Sequence, residues 1–190
     1  MNRDRIITRI AYVLLAVLLP IELFARYDTM VRQIALSVTC LAAILILVVV
    51  SRWLRLRGGT LPGISALSAA AGVWFDAMGN FVHFYARFSW WDQLAHGVGT
   101  AAVALGILAI VQTLIQRGDL RMGRAWMGMT AVCMAVTSSV LYEISEYLGD
   151  VVYPTNRVTG LFDTSDDLMW NTLAAALVVA LALRLQRVKK

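Results

Sequence analysis

The sequence predicts an all-α, polytopic membrane protein with six transmembrane helices and both termini cytoplasmic, on three observations. Of its 190 residues, 59% are hydrophobic and 15% charged, with a mean hydropathy of +0.70, against about 25% charged residues in soluble domains. Six apolar stretches approach the roughly 20 residues with which a helix crosses a bilayer core. The connections between them differ sharply in charge from one side to the other, and that asymmetry orients the chain.

The spans are expected at 7–25, 30–50, 62–84, 92–116, 125–148 and 167–186. The first follows Arg3, Arg5 and Arg9 as a signal sequence would, but Pro20-Ile21-Glu22-Leu23-Phe24-Ala25 lacks the small residue needed three positions before a cleavage point, so the span is expected to be retained. The second is an almost unbroken aliphatic run. The third begins with small residues, Ser65 to Gly72, and the fourth carries Gly97, Gly99 and Thr100; small residues let helices pack closely in lipid. The fifth and sixth carry the remaining buried polar residues. Residues 62–186 are therefore expected to form a polar-site bundle and residues 1–57 two lipid-facing supporting helices, within one integral membrane domain spanning 1–190. The connection 149–166 contains Pro154 and Gly160, which argue against regular structure throughout it. Cys40 and Cys133 fall inside spans without metal-type spacing and are expected to be buried, inert thiols.

Six spans place both termini on one side. That side collects Arg3, Arg5 and Arg9, then Arg52, Arg55 and Arg57, then Arg117, Arg121 and Arg124, and finally Arg184, Arg187, Lys189 and Lys190. Lys and Arg accumulate in cytoplasmic loops, so the termini are assigned to the cytoplasm and the chain to a bacterial inner membrane, multi-pass. The basic residues are dispersed over two termini and two loops without interleaved aromatics, which excludes a nucleic-acid partner. Aromatics such as Phe84, Phe88, Trp90, Trp91, Tyr147 and Tyr153 crowd the opposite, outer boundary as an interfacial belt.

Ten of the chain's twelve carboxylates fall on that outer side, many of them in or beside apolar helices, where an ionisable residue marks a functional site by default. Helical spacing groups them. Asp76, Asn80 and His83 follow i, i+4, i+7 at the end of the third span, and Asp92 and His96 follow i, i+4 at the start of the fourth. Ser139, Glu143, Glu146 and Asp150 form one stripe up the fifth, and Asp167 and Asn171 open the sixth. Spans three and five end outside where four and six begin, so the four sets meet at one level. At about 1.5 Å per residue, Asp76 is expected roughly 12 Å below the helix end. The result is a pocket opening outward.

The run Asp92-Gln-Leu-Ala-His96, the pair Glu143-Ile-Ser-Glu146 and the segment Asp163-Thr-Ser-Asp-Asp167-Leu-Met-Trp-Asn171 resemble the YjdF-like bacterial inner-membrane proteins. More distantly they are similar to the VanZ-like domain, which pairs an Asp-x-x-x-His helix with Glu-x-x-Gln and a later Asp-x-x-x-Asn. The resemblance covers about residues 76–180. Gln93 stands where that domain commonly has lysine, and Glu146 replaces its glutamine. The resemblance implies the fold and the site more than a reaction.

Two imidazoles and several carboxylates supply the ligands of a divalent metal, zinc or manganese/magnesium, built from facing helices as in other bundle sites. Asp92, His96, His83 and Asp76 are the candidate metal ligands; Glu143, Glu146 and Asp167 are the candidate catalytic carboxylates; Asn80, Asn171 and Arg157 are the candidate substrate-binding residues. Arg157 either pairs with an acid or recognises phosphate. A metal-bound water has its pKa lowered toward about 7 and attacks an ester or phosphoester, with a carboxylate such as Glu146 taking the proton. The expected function is a metal-dependent hydrolase or transferase acting on a lipid head group or a lipid-linked envelope precursor, with membrane lipid as the partner. Two other classes stay open: a non-enzymatic lipid-binding or scaffold protein, in which the polar groups only tie helices together, and a proton-coupled transporter.

Overall fold

In a bilayer, backbone polar groups can be satisfied only within helices or closed barrels, and the apolar stretches here all fold as helices. The structure, a computed structural model, describes residues 3–25, 27, 29–153, 157, 158 and 160–188. Arg26, Pro154, Lys189, Lys190 and the side chain of Arg187 lie outside the described residues. The helices are α1 (Arg3–Phe24), α2 (Met30–Leu56), α3 (Gly63–Phe81), α4 (Phe84–Arg87), α5 (Trp91–Arg117), α6 (Arg124–Val152) and α7 (Asp163–Val188).

Five of them, α1, α2, α5, α6 and α7, are long and apolar enough to cross a membrane. The third expected span differs. Helix α3 has 19 residues, many of them Gly, Ala and Ser, with Asp76 and Asn80 in its last turns, and it falls short of the apolar length the other five possess. It also stops before the expected 84: His83 takes the left-handed conformation at φ 59°, which few L-residues adopt. His83 therefore leaves the helical face shared by Asp76 and Asn80, and the chain restarts as the four-residue α4.

Local chemistry accounts for the other ends. Thr29 caps α2, its Oγ1 accepting the Arg32 N–H at 3.2 Å. Gly118 ends α5 at φ +81° and donates its N–H to the Ile115 carbonyl at 3.0 Å. The connection after α6 is shorter than expected because α6 continues to Val152 and α7 begins at Asp163. Asp163 and Asp166 sit in the first turn of α7, where negative charge favours the helix.

Helix α3 packs most extensively on α5 and α1. At the α3–α5 crossing a Cβ on Gly72 would lie 3.1 Å from Gly99 Cα, so the two backbones touch. Helices α1 and α3 run parallel: Asp4 Oδ1 accepts the Gly63 N–H at 3.1 Å, and the Trp74 indole donates to the Leu14 carbonyl at 3.1 Å, one level higher. Two apolar cores result. One joins α1, α2 and α3 through Leu15, Leu18, Cys40 and Ala70, and the other joins α5, α6 and α7 through Leu108, Ala131, Ala135 and Ala175. Large apolar residues such as Val13, Val49, Leu141 and Leu177 are exposed on the outside of the bundle. Cys40 is buried as expected, whereas Cys133 on α6 is exposed.

Candidate functional site

The ends of α3 and α6 meet the beginnings of α5 and α7 at one end of the bundle, and their polar stripes meet there. His96 stands at the centre. Its Nδ1 lies 3.2 Å from Glu143 Oε1, and its Nε2 lies 3.6 Å from Asp92 Oδ1 and 3.9 Å from Asp167 Oδ2. Three helices thus aim carboxylates at one imidazole. The side chains of Glu143 and Asp167 are 4% and 2% exposed, so water does not solvate them.

Hydrogen bonding does not account for the arrangement. Among the described residues Glu143 Oε1 and Asp167 Oδ1 are buried with no hydrogen-bond partner, although Glu143 Oε1 is close to the imidazole. A neutral imidazole offers one N–H and can serve only one of three carboxylates. Buried polar groups are almost always paired, and buried negative charge needs a counter-charge. Two ligand groups are close enough to share an ion: Asp92, His96 and Asp167, and His96, Glu143 and Glu146, each with donor atoms within 4.8 Å of one another.

Beside this centre lies a second polar set that is fully paired. Asp76 Oδ1 accepts from Asn80 Nδ2 at 3.0 Å and from the Tyr85 hydroxyl at 3.0 Å. Burial pushes the Tyr85 phenol well above its ordinary pKa, so it remains a donor. Gly79 makes room for it, since a Cβ there would run into the Tyr85 ring. Arg157 reaches in from the α6–α7 connection, its guanidinium 3.4 Å from Glu146 Oε1 and 4.0 Å from Asp76 Oδ2. Burial alone would lower the Arg157 pKa, but Tyr142, Asp76 and Glu146 around it hold it above its ordinary value. The guanidinium stays charged. Asp150 fixes this stretch by accepting the Arg157 and Val158 backbone N–H groups at 2.9 to 3.0 Å. Acid pairing is therefore the role Arg157 takes here.

A third set lies deeper. Thr100 donates to Asn171 Oδ1 at 2.8 Å and lies 2.9 Å from the Ser139 hydroxyl, which is also 3.2 Å from the Ala135 carbonyl it donates to. This joins α5, α6 and α7 and leaves the buried Asn171 Nδ2 without a partner. At the opposite edge Trp91 is buried, its indole donating to the Phe75 carbonyl at 2.9 Å and its ring 5.3 Å from Phe75 and 4.6 Å from Phe84. That contact pins the start of α5, with Asp92, against α3. Trp91 is a packing residue here and not a member of an exposed belt.

Of the residues singled out from the sequence, Asp92, His96, Glu143, Glu146 and Asp167 come together; Asp76, Asn80 and Arg157 adjoin them; Asn171 lies beneath. His83 is exposed and outside both ligand groups. The sequence pattern did not single out Tyr85, Tyr142 or Thr100. Tyr142 packs edge-on to His96 at 5.6 Å between ring centroids, and its i, i+4 spacing to Glu146 was the available signal. Nor did it single out Glu22, fully buried on α1, neither of whose carboxylate oxygens has a hydrogen-bond partner among the described residues.

Residues 7–188 match the pattern of a family described as "Predicted membrane protein (DUF2238)". The chain belongs to this family. It is a membrane protein with several transmembrane helices, in contact with lipid. A curated relative from Thermotoga maritima, named "Uncharacterized protein", is 30% identical over 115 residues, a stretch covering 60% of this chain and 58% of the relative. No solved structure matches the chain.

Proposed function

We propose that this member of the family is a bacterial inner-membrane protein, with α3 as a sixth span enclosed between α1 and α5 and both termini cytoplasmic, whose outward-facing pocket binds a divalent metal and hydrolyses or transfers a lipid head group. The observation that supports it is the His96 centre: three carboxylates from three helices around one imidazole, two of them with buried oxygens that lack partners. The similarity to the YjdF-like proteins and, at greater distance, to the VanZ-like domain points to the same residues.

Asp92, Asp167 and His96 Nε2 form the coordination set we favour, since all three lie on one side of the imidazole. Glu143 faces Nδ1 on the other side, where a carboxylate fixes the tautomer and orientation of a metal-bound histidine. Zinc, or manganese or magnesium, would require these side chains to close by a fraction of an ångström, because bonds of roughly 2 Å hold ligand atoms within about 4 Å of one another. A metal there would supply an activated water at neutral pH. Glu146, which groups with His96 and Glu143 and is held by Arg157, would serve as the acceptor of its proton. Asp76 and His83 stay outside the set, Asp76 being committed to Asn80, Tyr85 and Arg157. Asn171, with its free amide donor, faces the pocket as a substrate contact.

Metal analysis of protein purified in detergent tests this. Wild type should carry stoichiometric divalent metal and His96→Ala should lose it while eluting as the same species. Metal-free wild type with an intact fold sinks the proposal in favour of a non-enzymatic lipid-binding protein. A proton-coupled transporter has less support, because beneath Thr100 the inner halves of α3, α5 and α6 carry no carboxylate or histidine.

A further inference from the structure

Beneath the polar centre the bundle is hollow. A cavity of about 400 Å³ runs from Asp76 on α3 down to Leu61 just before that helix and along α5 from Ala95 down to Ile110, a depth of roughly 22 Å at 1.5 Å per residue of α5. Charge and imidazole occur only at its upper end, where Asp76, Tyr85, His96, Tyr142 and Glu146 stand. The lower walls are Ala, Gly, Val, Ile and Leu, and the hydroxyls among them are already committed: Thr39 to the Ala35 carbonyl, Ser65 to Ala102, Ser138 to Met134. Below Asn171, whose Nδ2 has no partner among the described residues, such a wall offers an occupant burial and no hydrogen bonds. The size and the apolar lining with a few converging polar groups are those of a ligand site.

The cavity also opens to one side. Helices α2 and α6 both line it, yet among the described residues no contact joins α2 to α6. Ile46 on α2 and Val103 on α5, both lining residues, are exposed. This opening lies at the depth of the spans and faces hydrocarbon. What enters by it is therefore a lipid chain.

Charge selects the head group. At the polar end Asp76 and Glu146 line the cavity with His96, Asp92, Glu143 and Asp167 stand around that imidazole, and Arg157 is the guanidinium among them, so even a bound divalent cation leaves the carboxylates in excess. An anionic head group is repelled there; a zwitterionic one carrying an amine places its ammonium among the carboxylates and its phosphate at Arg157.

We propose that the cavity holds one acyl chain of an amine-bearing phospholipid, inserted between α2 and α6 with its head group at the Asp76, His96 and Glu146 end. That this lipid is the substrate rests on the hydrolase reading above; that its chain is held here does not.

Gly99 provides the test. A Cβ there meets nothing within 4 Å, and at Gly106 it meets only Ser65 Oγ at 3.6 Å, so Gly99→Leu and Gly106→Val fill the hollow without a backbone clash. The protein is reconstituted in phosphatidylcholine vesicles containing a phosphatidylethanolamine with a diazirine in its palmitoyl chain, photolysed and mapped by mass spectrometry. Label is expected within residues 61–76 and 95–110, reduced by about tenfold in Gly99→Leu, the effect of denying the chain about two buried methylenes. Label confined to the outer surfaces of α1, α2, α6 and α7, or unchanged in both glycine variants, overturns the proposal. Equal or stronger cavity labelling by the matching phosphatidylglycerol probe overturns the head-group assignment. Wild type that takes the label yet carries no metal supports the lipid site while contradicting the hydrolase.

Discussion

Glu22 and Glu143 are both glutamates buried in membrane-type helices, and both have carboxylate oxygens without hydrogen-bond partners. Around Glu22 the Cys40 thiol lies beside it and Asp76 and Tyr27 lie within electrostatic reach, but among the described residues no imidazole does. Around Glu143 three helices converge, and an imidazole and two more acids of His96's shell lie within reach. Burial of an acid is thus common to both regions, and it does not by itself make a site. What separates them is convergence: a single carboxyl in hydrocarbon is stable once it holds a proton, whereas the His96 centre concentrates more carboxylates than the donors among the described residues satisfy.

Substitutions that treat the two regions alike should therefore have unlike effects. The largest is expected for Asp167→Asn, which removes a ligand atom from the set facing His96 Nε2 and should abolish stoichiometric metal in purified protein. Glu143→Gln acts through the imidazole and should weaken metal affinity by about 10–100-fold, read by competition with a chelator; unchanged affinity would remove Glu143 from its orienting role. Arg157→Ala leaves Asp76 and Glu146 without their cation at a partly exposed position, and should cost about 1–3 kcal/mol, seen as a lower unfolding midpoint in detergent. Thr100→Val removes the donor to Asn171 and should cost about 1 kcal/mol. Glu22→Gln is expected to have the smallest effect on metal content, because Glu22 belongs to neither ligand group.

The same contrast explains what could be read from the sequence. Asp92 with His96, Glu143 with Glu146, and Asp167 with Asn171 each repeat at helical spacing, and alternation of helix direction brings them to one level, so their meeting was legible. Glu22 sits inside an otherwise aliphatic span, and Arg26, its charged neighbour at i+4, falls just past the expected end of that span at 25, which hides it. His83 was misplaced on the α3 face because helical spacing continues on paper past the point where the backbone turns left-handed at that residue. The short apolar length of α3 was obscured by its Ala and Gly content, which reads as helix packing and as membrane span alike. Tyr85 reaches Asp76 only through the turn into α4, a tertiary contact that no periodicity announces. The hollow under the site is likewise a property of Gly72, Gly99 and Gly106 acting together across two helices.

The most direct test of the central claim is elemental analysis of three proteins purified side by side in detergent: wild type, Asp167→Asn and Glu22→Gln. Stoichiometric divalent metal in wild type and Glu22→Gln, with none in Asp167→Asn, is the predicted result. Metal absent from all three, or present equally in all three, contradicts a metal centre at His96.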